Sequence, residues 1–189
     1  MPVIGTREDL SVLRFRKGGS TRYFTAGITA SALTNIQIPG HTLFGYPFYC
    51  AKDEKFDRIA VNIYLADAGY ARLGIYADNG SVAPGRLILD AGEVEVSSPT
   101  GVKEISISLE LSGGKLYWLA YVSGGIPSLR VVSRATLIKE YLSLDNTLSV
   151  DWGTRFERGF TYAALPDPFG TASVNTSPGE NCPVFLRKV

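Results

Sequence analysis

One histidine, two cysteines and a scatter of carboxylates are the groups with which this 189-residue chain could do covalent or acid–base chemistry. His41 follows Pro39 and Gly40 and precedes an apolar run. A serine or cysteine nucleophile would need that imidazole as its base, yet no G-x-S-x-G elbow accompanies it. It reads as a turn histidine at the start of a strand. Cys50 and Cys182 lie far apart, in neither C-x-x-C nor metal-ligand spacing. Both sit beside apolar segments, so buried reduced thiols are expected, with a bridge between them as the alternative. Zinc would need clustered histidines or cysteines, and none are present in the sequence.

The carboxylates offer more. Asp145, Asp151 and Glu157 share the polar stretch at 143–158, where two of them could serve as the acid pair of a glycosidase. Solvation, or pairing with Arg155 or Arg158, is the plainer reading. Asp78, Asn79 and Asp90 lie in and after a glycine-rich turn and could offer oxygens to calcium. Their spacing is not that of an EF-hand loop, and Asp and Asn in such turns commonly bond their own backbone. The expectation is a protein that is not an enzyme and holds neither metal nor cofactor.

Trp118 lies inside the apolar run LYWLAYV and is expected in the core. Trp152 stands between Asp151 and Gly153, with Arg155 close behind. An indole among polar neighbours is a platform on which a sugar ring stacks while charged groups bind its hydroxyls. Asp151, Trp152 and Arg155 are therefore the candidate ligand-binding residues, against the alternative that Trp152 plugs one end of the fold.

These residues must be positioned by strands. Ile105, Ile107, Leu109 and Leu111 alternate with Glu104, Ser106, Ser108 and Glu110, the pattern of a strand with one buried face. Ile59, Val61, Ile63 and Leu65 alternate likewise, Val94 and Val96 point opposite to Glu93 and Glu95, and Ala71, Leu73 and Ile75 opposite to Arg72, Gly74 and Tyr76. Residues 116–122 are apolar on both faces, as a central strand requires. Further strands are expected at 42–50, 87–96, 129–133, 159–163 and 183–186. Residues 135–142 are the one helix-like stretch, and 166–182 reads as an extended wrap over the surface before the last strand. Twenty glycines and ten prolines supply the turns. Eight or nine strands fit an all-β jelly-roll β-sandwich of two antiparallel sheets.

The beginning of the chain differs. Residues 11–16, SVLRFR, make a short strand that stops at Lys17-Gly18-Gly19-Ser20. One strand cannot bury its own apolar face. Residues 1–20 are therefore expected to form an N-terminal docking arm, with Leu13, Arg14, Phe15 and Arg16 meeting another polypeptide, and 21–189 the sandwich domain.

Net charge is +1, with 19 basic and 18 acidic side chains. A nucleic-acid binder concentrates basic charge, and the patch at Arg14–Lys17 is too short for that role. No apolar export signal opens the chain, and the run at 116–122 is too short to cross a bilayer as a helix. Neither nucleic acid nor membrane insertion is expected.

Between residues 71 and 92 the chain reads ARLGIYADNGSVAPGRLILDAG, followed by GVK at 101–103 and YWLA at 117–120. This pattern, with YPFY at 46–49, FDRIA at 56–60 and FTYAAL at 160–165, resembles a domain at the C-terminal ends of bacteriophage tail-fibre-like and virion surface proteins. The likeness spans residues 22–189 and contains no catalytic motif. It implies a phage virion protein, assembled in the bacterial cytoplasm and displayed as a tail-fibre tip, spike or head decoration. It further implies a homotrimer and a host-surface glycan as ligand. A carbohydrate-binding sandwich of a bacterial surface protein and a cement protein without ligand are the alternatives, with a glycan hydrolase or lyase third.

Overall fold

The computed structural model describes residues 23–25, 32–133, 155–175 and 182–189. They form twelve strands in two antiparallel sheets, with no helix among them. The first sheet holds β1 (Tyr23–Thr25), β2 (Ala32–Gln37), β4 (Glu54–Leu65), β7 (Gly101–Leu111), β9 (Ser128–Ser133) and β12 (Phe185–Lys188). The second runs β11 (Ser173–Asn175), β10 (Arg155–Gly159), β3 (Thr42–Cys50), β8 (Lys115–Ser123), β5 (Tyr70–Asp78), β6 (Pro84–Glu95).

β4 organises the first sheet. One edge pairs with β7 from Glu54 to Ile63. The other edge is shared, with β12 along Phe56–Ala60 and β9 at Ile63 and Leu65. A bulge between Phe56 and Arg58 explains why the inward residues Phe56 and Ile59 are three apart, while Ile59, Val61 and Ile63 keep the alternation of two. The pairings β5 with β6, β4 with β7, β3 with β8 and β2 with β9 are nested about one centre. They form one long antiparallel ribbon whose strands are dealt alternately to the two sheets.

Apolar alternation places the main core between the sheets. Phe44, Tyr46, Phe48, Leu73, Ile75, Leu119 and Tyr121 of the second sheet meet Phe56, Ile59, Val61, Ile63, Leu111 and Leu186 of the first. Val94 and Val96 are buried while Glu93 and Glu95 are exposed, as their alternation requires. Ile105 and Ile107 also face inward, but only half-buried, because β7 is an edge strand.

Trp118 departs from the expected common core. In β8, Tyr117, Leu119 and Tyr121 point to the inter-sheet core, so period two sends Trp118, Ala120 and Val122 to the opposite face. Trp118 is nonetheless fully buried, in a second cluster with Leu43, Tyr76, Phe156, Leu165 and Phe169. Residues 160–172, strap-like and outside any strand, supply its lid. The expected surface wrap is present over 166–172, and it begins earlier, at 160.

The strand expected at 159–163 lies instead at Arg155–Gly159, so the end of the polar stretch at 143–158 is β-structure. Here Phe156 packs edge-on against Trp118 with ring centroids 5.1 Å apart. The chain then turns off the sheet, where Phe160 N donates to His41 O and Tyr162 N to His41 Nδ1. The last strand starts at Phe185, two residues later than expected, since Pro183 has no N–H to give a ladder. β1, β2 and β11 were not anticipated. The arm at 1–20, the helix-like 135–142 and the region 143–154 lie outside the described residues.

Candidate binding surface

Of the three candidate ligand residues, Asp151 and Trp152 lie outside the described residues, as do Leu13, Arg14, Phe15 and Arg16 of the arm. Arg155 is within them and is buried, 3% exposed. Its Nε and Nη2 bond Glu157 Oε2 at 2.9 and 2.8 Å, and its guanidinium lies 5.1 Å from the centre of the Phe44 ring. Glu157 Oε1 in turn accepts from Asn175 Nδ2 at 2.6 Å. Arg155 thus ties β10 to β3 and, through Glu157, to β11. Its place is at the margin of the core rather than on an open loop.

His41 sits in the turn before β3 with φ of 52° and exchanges backbone hydrogen bonds with Ser123 and Phe160. It is the turn histidine expected. Cys50 and Cys182 are both buried and unbridged. Burial pushes the Cys50 thiol up to about 11. Among the described residues no group of three or more His, Cys, Asp or Glu side chains could hold a metal. Asp78 and Asn79 cap their own turn, accepting from Gly80 N and Ser81 N at 2.8 Å.

The polar residues of the 71–92 segment converge on the strap. Asp90 receives Arg72 Nε at 2.9 Å, Gly92 N at 3.0 Å and Leu165 N at 3.1 Å. Tyr76 donates its hydroxyl to Pro166 O at 2.8 Å and meets Phe169 edge-on, centroids 5.0 Å apart. Leu87 N donates to Asp167 Oδ1, and Phe169 N to Gly85 O, each at 2.9 Å. Gly74 leaves room for Leu165: a Cβ there would overlap Leu165 Cδ1 and stand 2.6 Å from Leu89 O.

Electrostatics follow the same geometry. Burial opposes the Arg72 charge, but the carboxylates of Asp90 and Glu93 outweigh it and hold the guanidinium more basic than usual. Desolvation, then the Asp90 charge, pushes the Tyr76 phenol well above its ordinary range. Burial and the neighbouring Glu93 do the same for Tyr162. Both phenols stay protonated at neutral pH.

Among the described residues two features stand open to a ligand. On the outer face of the first sheet, Tyr64 is half exposed with the Arg130 guanidinium 5.3 Å from its ring centre. Beside the strap, the Arg158 guanidinium stands 5.2 Å from the Phe160 ring centre. Sequence reasoning offered Arg158 only as an ion-pair partner for nearby acids, and it missed the strap's anchors Asp167 and Phe169. The partners of those two anchors lie some 80 residues away in sequence, and no local pattern marks such a meeting. Comparison with protein-family models, curated proteins and solved structures finds no match.

Proposed function

We propose that this chain is a bacteriophage virion structural protein, a jelly roll displayed on the particle surface as a tail-fibre tip, spike or head decoration, with attachment to host glycan as its task. The observation that carries the reading is the docking of the strap by Arg72, Tyr76, Gly85, Leu87 and Asp90. Those positions belong to the segment in which the chain resembles tail-fibre terminal domains, and they serve architecture: they seal the second sheet's outer face into a rigid wall. The nested β2–β9, β3–β8, β4–β7, β5–β6 ribbon supports the jelly-roll reading, a fold of capsid and lectin domains. In this reading residues 1–20 join the particle, three copies assemble about an axis, and loops on the rigid scaffold face outward.

Gold-labelled antibody against the chain, imaged on native particles, tests the location. Label at the tail tip or head surface supports the reading, and its absence from particles sinks it. A chain lacking residues 1–20 should remain folded yet fail to join the particle.

A second reading, a carbohydrate-binding module of a bacterial surface protein, is favoured by the exposed Tyr64 with Arg130 against it. Glycan binding without any particle association would select it.

A further inference from the structure

We propose that Arg158 anchors a binding site for the carboxylate of an acidic sugar. Arg158 lies on the outward face of β10, opposite Leu43, where the strap leaves and returns to the sheet. Packing holds its guanidinium in place. The Phe160 ring lies 5.2 Å from Cζ, and Gly170 lies so close that a Cβ there would stand 2.5 Å from Nη1 and 3.2 Å from Cζ. Nε is sealed from solvent and, among the described residues, donates to nothing. No hydrogen bond or ion pair from Arg158 to an acceptor forms among the described residues.

A guanidinium is ordinarily oriented by the acceptors it binds. Here a ring and a glycine orient it, and its terminal nitrogens are left for something else. A planar fork of donors matches a carboxylate through two parallel bonds, and a fork already fixed loses little freedom on binding. The acids nearest the strap do not neutralise it. Asp90 is held by Arg72, Gly92 N and Leu165 N, and Asp167 accepts from Leu87 N. Glu157 points to the other face of β10, toward Arg155 and Asn175. The adjoining, partly buried Phe160 supplies an aromatic surface on which a pyranose ring can rest. An inorganic anion would use the fork but not the ring, and a neutral hexose the ring but not the fork. A uronic acid uses both. The proposal rests on the attachment reading for the source of the sugar, an acidic polysaccharide of the host surface.

The test is a titration of the full chain, ¹⁵N-labelled at arginine, with D-glucuronate, D-glucose and inorganic phosphate. The Nε–H signal of Arg158 is the reporter, assigned by its loss in Arg158→Lys. Glucuronate should shift that signal saturably, glucose should not, and phosphate should bind at least about tenfold more weakly. Arg158→Lys keeps the charge but not the fork and should lose about tenfold in glucuronate affinity, followed on backbone amides. Absence of a glucuronate response, an equal response to glucose, phosphate binding as tightly as glucuronate, or undiminished affinity in Arg158→Lys would each overturn the site. If Arg158→Lys does not fold, through-bond correlation of the side-chain signal to the residue 158 backbone assigns it, and the three titrations of the parent chain still decide. Particle imaging is independent of them, so label on the virion with no glucuronate response removes this site and leaves the attachment reading standing.

Discussion

Trp118 Nε1 donates to Asp78 Oδ1 at 3.0 Å, joining the centre of β8 to the turn that follows β5. The other oxygen of Asp78 accepts Gly80 N, so one carboxylate both caps a turn and satisfies an indole with no solvent exposure. Removing it leaves a buried N–H without a partner. Asp78→Ala should therefore lower stability by about 1–3 kcal/mol, read as a shifted urea midpoint at unchanged slope. A midpoint equal to the parent's would show that the bond contributes nothing.

Gly74 is the tightest point beneath the strap. Gly74→Ala should destabilise by about 1–3 kcal/mol, because the new methyl meets both Leu165 and the Leu89 carbonyl. Leu165→Ala removes one of the two obstacles. The double variant should be less destabilised than the two single losses added together. Strict additivity in denaturant unfolding would place Leu165 away from Gly74.

Acid should loosen the outer face of the first sheet. Arg187 donates to both oxygens of Asp57 at 2.9 and 2.7 Å, which holds the Asp57 carboxyl below its ordinary range. A depressed folded pKa means stability fully present above the unfolded value, about 3.9, and lost as pH falls through the folded value. Melting temperature should thus fall as pH drops below about 4, and Asp57→Asn should flatten that decline while lowering stability at pH 7. A decline equally steep in Asp57→Asn would show that other carboxyls carry it.

Both thiols should be silent in the native protein. Cys50 is buried and its thiol raised to about 11, so its reactive thiolate is scarce at pH 8. A disulfide-exchange reagent should titrate neither cysteine in buffer and both in denaturant. Rapid native reaction would contradict their burial.

Much of this fold was legible because strands announce themselves by alternation. Leu109 and Leu111 against Ser108 and Glu110, or Val94 and Val96 against Glu93 and Glu95, need no partner to be recognised. The strap was not legible in the same way. Trp118 looked like a core residue and is one, but alternation alone does not say that the outward face of β8 has a core of its own. That follows only once Leu165 and Phe169 arrive from a segment without periodicity. Short strands such as β1 and β11 escape for a related reason: three residues are too few to show a period. Arg155 looked like a loop residue beside Trp152, but Phe156 belongs to the second cluster, which turns Arg155 toward Phe44 and away from solvent.

The nested ribbon also governs the order in which this protein can be made. Ala32 pairs with Ser133, about a hundred residues on, and of the four nested pairs only β5 and β6 meet across a short turn. A chain emerging from the ribosome can close that central hairpin early, but β4 waits for β7, β3 for β8, and β2 for β9. Contacts so distant along the chain make folding slow. The apolar faces of β3 and β4 accordingly stay uncovered through much of synthesis, and the strap is translated only after the strands of all four pairs.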